Sequence, residues 1–281
     1  MKLLIALCLS VAVTSLTPSL ADPADWTTGP FDMPESAIYD PIHDRIVLSV
    51  MGGDPGAADG DGTLALLSPD GAVLDRAWVA GLDAPKGMAI VGTTLLVADL
   101  TRLHEIDLAT GTVMRSLDLE GAVFLNDVTS DGTRAFVSDL MANRIWLYTD
   151  GLALPWLQND RLAHPNGLLL EEDRLLVGSW GEGLRADFST EMPGALLAVD
   201  LSDREITVLA DAVGNLDGIV RLNGALLVND WITGALFRIE ADGTAHVIAE
   251  HAPGLADIGA YEDMLLLPAM LDGTLSAQTV P

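Results

Sequence analysis

Six polar positions recur along the chain at spacings that could gather them round one point: Glu35, Lys86, Asn126, Asn166, Asp217 and Asp257, separated by 51, 40, 40, 51 and 40 residues. Four of them, Glu35, Asn126, Asn166 and Asp217, offer oxygen donors, as two carboxylates and two amides. Converging from separate parts of the chain, they would suit a hard divalent cation such as Ca²⁺, which takes six to eight oxygen ligands. Zinc would draw on His or Cys, and neither stands at any of the six positions. The competing explanation is that polar residues ring any water-filled channel and that Asn-Gly and Asp-Gly also mark turns.

The surrounding sequence says what would position these side chains. Each opens a short β-rich run, followed by a turn such as Asp131-Gly132, Glu172-Asp173 or Asn223-Gly224. A second, strongly apolar run comes next: Ile46-Val47-Leu48, Leu95-Leu96-Val97, Phe136-Val137, Leu175-Leu176-Val177, Leu226-Leu227-Val228 and Leu265-Leu266-Leu267. A third strand and usually a fourth follow, and the representative stretch from Phe124 to Tyr148 shows no helix-length 3.6-residue pattern. Four short strands in a repeat of about 40 residues is the size of a β-propeller blade. The expected fold is therefore all-β, a single six-bladed β-propeller with four-stranded blades. The sixth repeat is one strand short, and an unassigned run from Asp25 to Thr28 precedes the first. That N-terminal strand is expected to close the ring as the outermost strand of blade six, hiding an edge.

The two 51-residue intervals carry their extra residues between second and third strands, at Met51 to Gly62 and at Ser179 to Pro193. In a meander this connection lies at the same end of the blade as the start of the first strand. Both loops should rim the face that bears the six polar positions, from opposite sides of the ring. Trp180 and Trp231 end second strands on that face and could wall an apolar pocket. His164, just before Pro165-Asn166, is the histidine placed to reach it.

Residues 1–21 read as a signal peptide: one basic residue, Lys2, an apolar core from Leu3 to Val13, then Pro18-Ser19-Leu20-Ala21. The apolar core falls short of the roughly 20 residues a spanning helix needs. The expected mature domain is 22–281, periplasmic or secreted, with no membrane insertion after leader removal. Cys8, the one cysteine, would leave with the leader, excluding disulfides and thiolate metal sites. The balance of 41 acidic against 14 basic residues, a net charge of −27, repels nucleic acid and anionic lipid and leaves a small-molecule substrate as the expected partner. Asp59-Gly60-Asp61-Gly62 is not an EF-hand loop, because Leu64 and Asp70 stand where Gly and Glu are needed. Gly178-Ser179-Trp180-Gly181 is not a nucleophile elbow, since Val177 fills the first glycine position.

Pro34-Glu35-Ser36, Asn126-Asp127, Pro165-Asn166-Gly167 and Asp217-Gly218 resemble the metal-binding positions of the gluconolactonase/senescence marker protein (regucalcin) family and of the related diisopropylfluorophosphatase-type propellers. The resemblance extends over nearly the whole chain after residue 21. It implies a six-bladed propeller with one divalent cation, Ca²⁺ in most members, at the channel mouth, and hydrolysis of lactones or phosphotriesters. By that resemblance Glu35, Asn166 and Asp217 match metal ligands, and Asn126 matches a residue that binds metal or substrate. The sugar-lactonase branch carries an Arg two positions before the matching Asn, where it holds substrate hydroxyls. Here that position is Phe124.

The expected function is a calcium-dependent hydrolase of a lactone or ester. Its catalytic residues would be Asp217, as general base or, on a phosphotriester, nucleophile, together with Asn126 and Lys86; its substrate pocket would include Phe124, Trp180, Trp231, His164 and Asp257. The alternative is a non-catalytic exported propeller that binds a peptide or small ligand on the same face. Lys86, the one lysine outside residues 1–21, has two open roles. It could neutralise Asp257, or its ammonium could replace the cation.

Overall fold

The computed structural model describes residues 25–279; the leader assigned to residues 1–21 lies outside them. Six antiparallel sheets of consecutive strands form the six blades. Blade three is representative: Leu125–Ser130, Ala135–Asp139, Arg144–Thr149 and Leu152–Gln158 run from the axis outward. The other innermost strands are Pro34–Asp40, Pro85–Val91, Pro165–Leu170, Leu216–Leu222 and the short Gly259–Tyr261. Helical structure among the described residues is a single 3-10 turn, Asp160–Leu162, and no helix there is long and apolar enough to cross a membrane.

The runs of apolar residues in the second strands follow from burial on both faces. Ile46, Val47 and Leu48 are each fully buried, alternately against blade six and blade two. Every neighbouring pair of blades shares one such core. Phe136, Leu175 and Val177 join blades three and four, for example, while Leu227, Leu265 and Leu267 join five and six. The hairpin turns carry the residues that positive φ demands, as at Asn223 and Gly224 (φ 49° and 80°) between the paired Leu222 and Ala225.

Closure is made by the N-terminal strand. Trp26–Thr28 pairs antiparallel with the last strand, Thr274–Thr279, in the register Trp26 to Ala277 and Thr28 to Leu275, completing blade six. Asp25 caps the pairing by accepting from the Thr279 backbone N–H at 2.6 Å. The same strand reaches into blade one: Trp26 Nε1 donates to the Pro69 carbonyl at 3.0 Å and Thr28 Oγ1 to that of Gly71 at 2.6 Å. A core of Phe31, Ile46, Leu48, Leu266 and Leu275 seals the join. A chain beginning at Gly29 would expose the backbone edge of Thr274–Thr279 and lose the ties to blade one. Its melting temperature should fall and it should self-associate, as read by calorimetry and light scattering; an equally stable monomer would show that closure does not depend on this strand.

Candidate functional site

One irregularity, repeated blade after blade, aims the polar side chains. The first two strands of blades one to five are each out of register by one residue at the top: Pro34 faces Val50 but Ala37 faces Leu48, and the same step occurs after Pro85, Leu125, Pro165 and Leu216. The step is a β-bulge, a device that re-aims side chains. Glu35, Lys86, Asn126, Asn166 and Asp217 are the first residues inside it. In three blades a second-strand side chain takes up the backbone N–H that the bulge frees: Ser49 Oγ for Ser36, Ser138 Oγ for Asp127 and Asn229 Oδ1 for Gly218, at 2.8–2.9 Å.

These five residues line one cavity of about 210 Å³ at the mouth of the channel, with Phe124, Trp180 and Trp231. Asp257 does not join them. In blade six Leu255 stands opposite Ala269 as Pro34 stands opposite Val50, so Ala256 fills the mouth position and the repeat is one residue shorter than the spacing suggests. Ala256 packs with Met51 and Met270 at the mouth. Asp257 instead takes the next position, equivalent to Ser36 and Asp127, where its Oδ2 accepts from Ser36 Oγ at 2.5 Å and its side chain lines the opposite end of the channel with Asp127. His164 is also set apart from the cavity. Its backbone N–H is held by Asn143 Oδ1 at 2.7 Å and its ring Nδ1 lies 3.1 Å from the Leu140 carbonyl, behind the wall that Leu140 forms.

The remaining wall was not singled out from the sequence, although the register that exposes Trp180 and Trp231 contains it. The residue following each second strand is Met51, Leu100, Leu140, Trp180, Trp231 and Met270 in turn. All six are apolar, and all but Leu100 line the cavity. The two long loops complete it with Pro55 from one side and Asp187 and Phe188 from the other.

The mouth is short of protons. Asn166 donates through Nδ2 to the Leu216 carbonyl at 3.1 Å and to Asp217 Oδ1 at 3.0 Å, which fixes the amide and leaves its Oδ1 free. Asn166 Oδ1, Asn126 Oδ1 and Glu35 Oε2 are buried oxygens without a hydrogen-bond partner. Each such group costs on the order of 1–3 kcal/mol when nothing satisfies it. Burial and then repulsion from other buried acids hold the carboxyls of Glu35 and Asp217 well above the usual range. Among the described residues no three His, Cys, Asp or Glu side chains are arranged to hold a metal. The donors that could take a cation are the mixed set of Glu35, Asn126, Asn166 and Asp217, whose oxygens suit Ca²⁺.

Lys86 is turned toward the loop of blade one. Its Nζ donates to the Ala84 carbonyl at 2.9 Å and the Pro55 carbonyl at 3.0 Å, and lies 4.6 Å from the Phe124 ring centroid. Burial pushes its pKa down to about 8, against the attraction of Glu35 and Asp99. The acids nearest it in effect are Glu35 and Asp99, so the pairing with Asp257, one of its two open roles, does not occur.

No protein-family model matches the chain, and no curated protein matches it by sequence. Solved structures do share its fold. A gluconolactonase from Xanthomonas campestris superposes with a TM-score of 0.68, at 16% identity over 89% of this chain and 87% of its own. A catalytically inactive virginiamycin B lyase from Staphylococcus aureus, solved with quinupristin, gives 0.60 at 13% identity over 90% and 97%. A streptogramin B lyase gives 0.58 at 13% identity over 90% and 96%. The chain therefore shares its propeller fold with these three enzymes, and the likeness extends over nearly the whole ring.

The buried charges fix a pH dependence for the cation-free protein. Removal from bulk solvent raises the Asp257 carboxyl to about 6, so the folded state holds a proton that the unfolded state releases, and stability falls as pH rises from about 4 to about 6. Lys86, depressed to about 8, works in the other direction: the unfolded chain holds the extra proton, and stability recovers as pH rises from about 8 to about 10. The carboxyls of Glu35, Asp127 and Asp217 are raised as well and act in the same sense as Asp257, so melting temperature measured in chelator should fall as pH rises from about 4 to about 7, and a rise over that range would contradict the burial of these groups.

Proposed function

We propose that the protein is a divalent-cation-dependent hydrolase of a lactone or ester, with Glu35, Asn126, Asn166 and Asp217 holding the cation, Ca²⁺ by the nature of their oxygens. The observation that carries this reading is the set of unpaired buried oxygens on Glu35, Asn126 and Asn166 around one small cavity. They lack positive charge or donors, and a cation supplies what all three lack. When bound, it would polarise the substrate carbonyl and acidify a water molecule.

The chain's own residues do the rest. Asp217, oriented by the amide of Asn166 at 3.0 Å, accepts the proton of the attacking water as its oxygen bonds to the acyl carbon. The bond from acyl carbon to ring or ester oxygen breaks, and the proton passes to that oxygen, leaving a hydroxy acid or an alcohol and acid. Lys86, with two of its three N–H donors spent on Ala84 and Pro55, keeps one for an oxygen that gains charge. The apolar ring of Met51, Leu140, Trp180, Trp231 and Met270 keeps bulk water from the reacting atoms. The gluconolactonase likeness supports hydrolysis as the class, since that fold carries it in at least one relative.

Calcium should bind the intact protein and raise its melting temperature by mass action. Asp217→Asn should weaken that binding by roughly 100-fold, and chelator should abolish hydrolysis across a panel of lactones and aryl esters. Calorimetry that detects no calcium binding at millimolar concentration would remove the site assignment. Lys86→Met tests the competing reading, in which the ammonium stands in for the cation and the propeller only binds. It should leave calcium affinity within about 10-fold and lower kcat by roughly 100-fold; calcium binding that appears only in this variant would make lysine the resident cation.

A further inference from the structure

The walls of the mouth are as specific as its floor and, apart from the exposed Asp187, they are apolar. Two aromatic pairs face the cavity: Trp180 and Trp231, with ring centroids 6.1 Å apart, and Phe124 and Phe188, 6.0 Å apart. Met33, Met51, Met270 and Leu140 fill the spaces between. Among the described residues no arginine, serine, threonine or tyrosine lines the cavity. The hydrogen-bond donors of Asn166 and Lys86 on its floor are largely committed, and the unpaired oxygens of Glu35, Asn126 and Asn166 are those assigned to the cation. Asn166 spends both amide protons on Leu216 and Asp217, and Lys86 gives two of its three to backbone carbonyls.

Phe188 is held in place at a conformational cost. Its φ of 63° is a left-handed value that bulky side chains rarely adopt. The loop is fixed there by its own backbone bond to Arg185 and by Trp180 Nε1, which donates to the Phe188 carbonyl at 2.8 Å. One tryptophan thus forms part of the wall and clamps the phenylalanine opposite.

We infer that the site takes an uncharged lactone or ester bearing an alkyl or aryl substituent, seated between the Trp180–Trp231 and Phe124–Phe188 pairs, and rejects polyhydroxylated lactones. This rests on the hydrolase reading for what happens to the ligand, and on the walls alone for which ligand binds. Each hydroxyl carried into such a cavity without a partner costs roughly 5- to 100-fold in affinity. A sugar lactone has several, whereas an alkyl chain meets indole, phenyl and thioether surfaces that accept it. The strong negative charge of the chain, −27, disfavours an anionic ligand in the same way.

Two unreactive probes separate binding from turnover: the lactam analogue of δ-decanolactone and the lactam analogue of glucono-δ-lactone, titrated calorimetrically into calcium-loaded full-length protein. The alkyl lactam should bind at least 10-fold more tightly than the sugar lactam. Phe188→Ser should cut its affinity by about 10-fold and Phe188→Leu by no more than about 3-fold, with melting temperatures unchanged because the side chain is only half-buried. Equal or tighter binding of the sugar lactam, no binding of either, or indifference to Phe188→Ser would overturn the inference. Hydrolysis of the two parent lactones is scored separately. If the alkyl lactam binds as expected and neither lactone turns over, the ligand class stands and the hydrolase reading fails. If glucono-δ-lactone is hydrolysed as well as δ-decanolactone, the hydrolase reading stands and the ligand class fails.

Discussion

Everything at the mouth depends on how closely the innermost strands approach one another. A side-chain carbon added at Gly167 would lie 1.6 Å from the Asp217 carbonyl oxygen, and one at Gly218 would lie 2.2 Å from the Ile258 nitrogen. No side chain fits there, so blades four, five and six meet backbone to backbone. The bulge in each blade turns the preceding residue toward the mouth, and this proximity brings the side chains of Asn166 and Asp217 into hydrogen-bond contact. The glycine that follows Asn166 or Asp217 is thus a strand residue at a crowded axis, not part of a turn.

That proximity has an electrostatic result. Glu35, Asp217 and Lys86 are all nearly inaccessible to solvent, and the desolvation of each opposes its charge. Fully ionised, the three would leave one net negative charge at the mouth, while Asp127 and Asp257 add acids toward the other end of the channel. Lys86 moderates this field without occupying its centre, because Ala84 and Pro55 draw its ammonium toward the loop of blade one. Floor and wall therefore divide the work. The floor concentrates oxygen and charge, and the wall supplies a low-polarity surface against which those charges act strongly.

Most of the ring was legible in the sequence because its signals are local and repeated. Apolar second strands, turn pairs such as Asn223-Gly224 and one polar residue per blade are enough to count six blades and to find the closing strand. Asp257 shows where that reading fails. An acid one residue away from the true mouth position looks like a sixth member of the series, and only the pairing of Leu255 with Ala269 reveals Ala256 in its place. A one-residue slip moves a strand side chain to the other face, and spacing alone does not resolve it. The partners of Lys86 were illegible for a different reason: they are the carbonyls of Ala84 and Pro55, and backbone acceptors leave no trace in residue type. The methionines and leucine of the wall were legible in principle, at the position already marked by Trp180 and Trp231.

The join between the first and last strands also sets an order of events. Trp26–Thr28 has its partner in Thr274–Thr279, so the first of the described strands must wait for the last of them before it has anything to pair with. Glu35 follows that first strand closely, in the blade that Trp26 and Thr28 tie down through Pro69 and Gly71. A nascent chain can stack blades two to five as they emerge, yet the blade carrying Glu35 is locked only when synthesis is nearly complete. A product cut short within the sixth blade would keep all four oxygen donors and still lack a sealed cavity in which to use them, so the architecture withholds the site from unfinished chains.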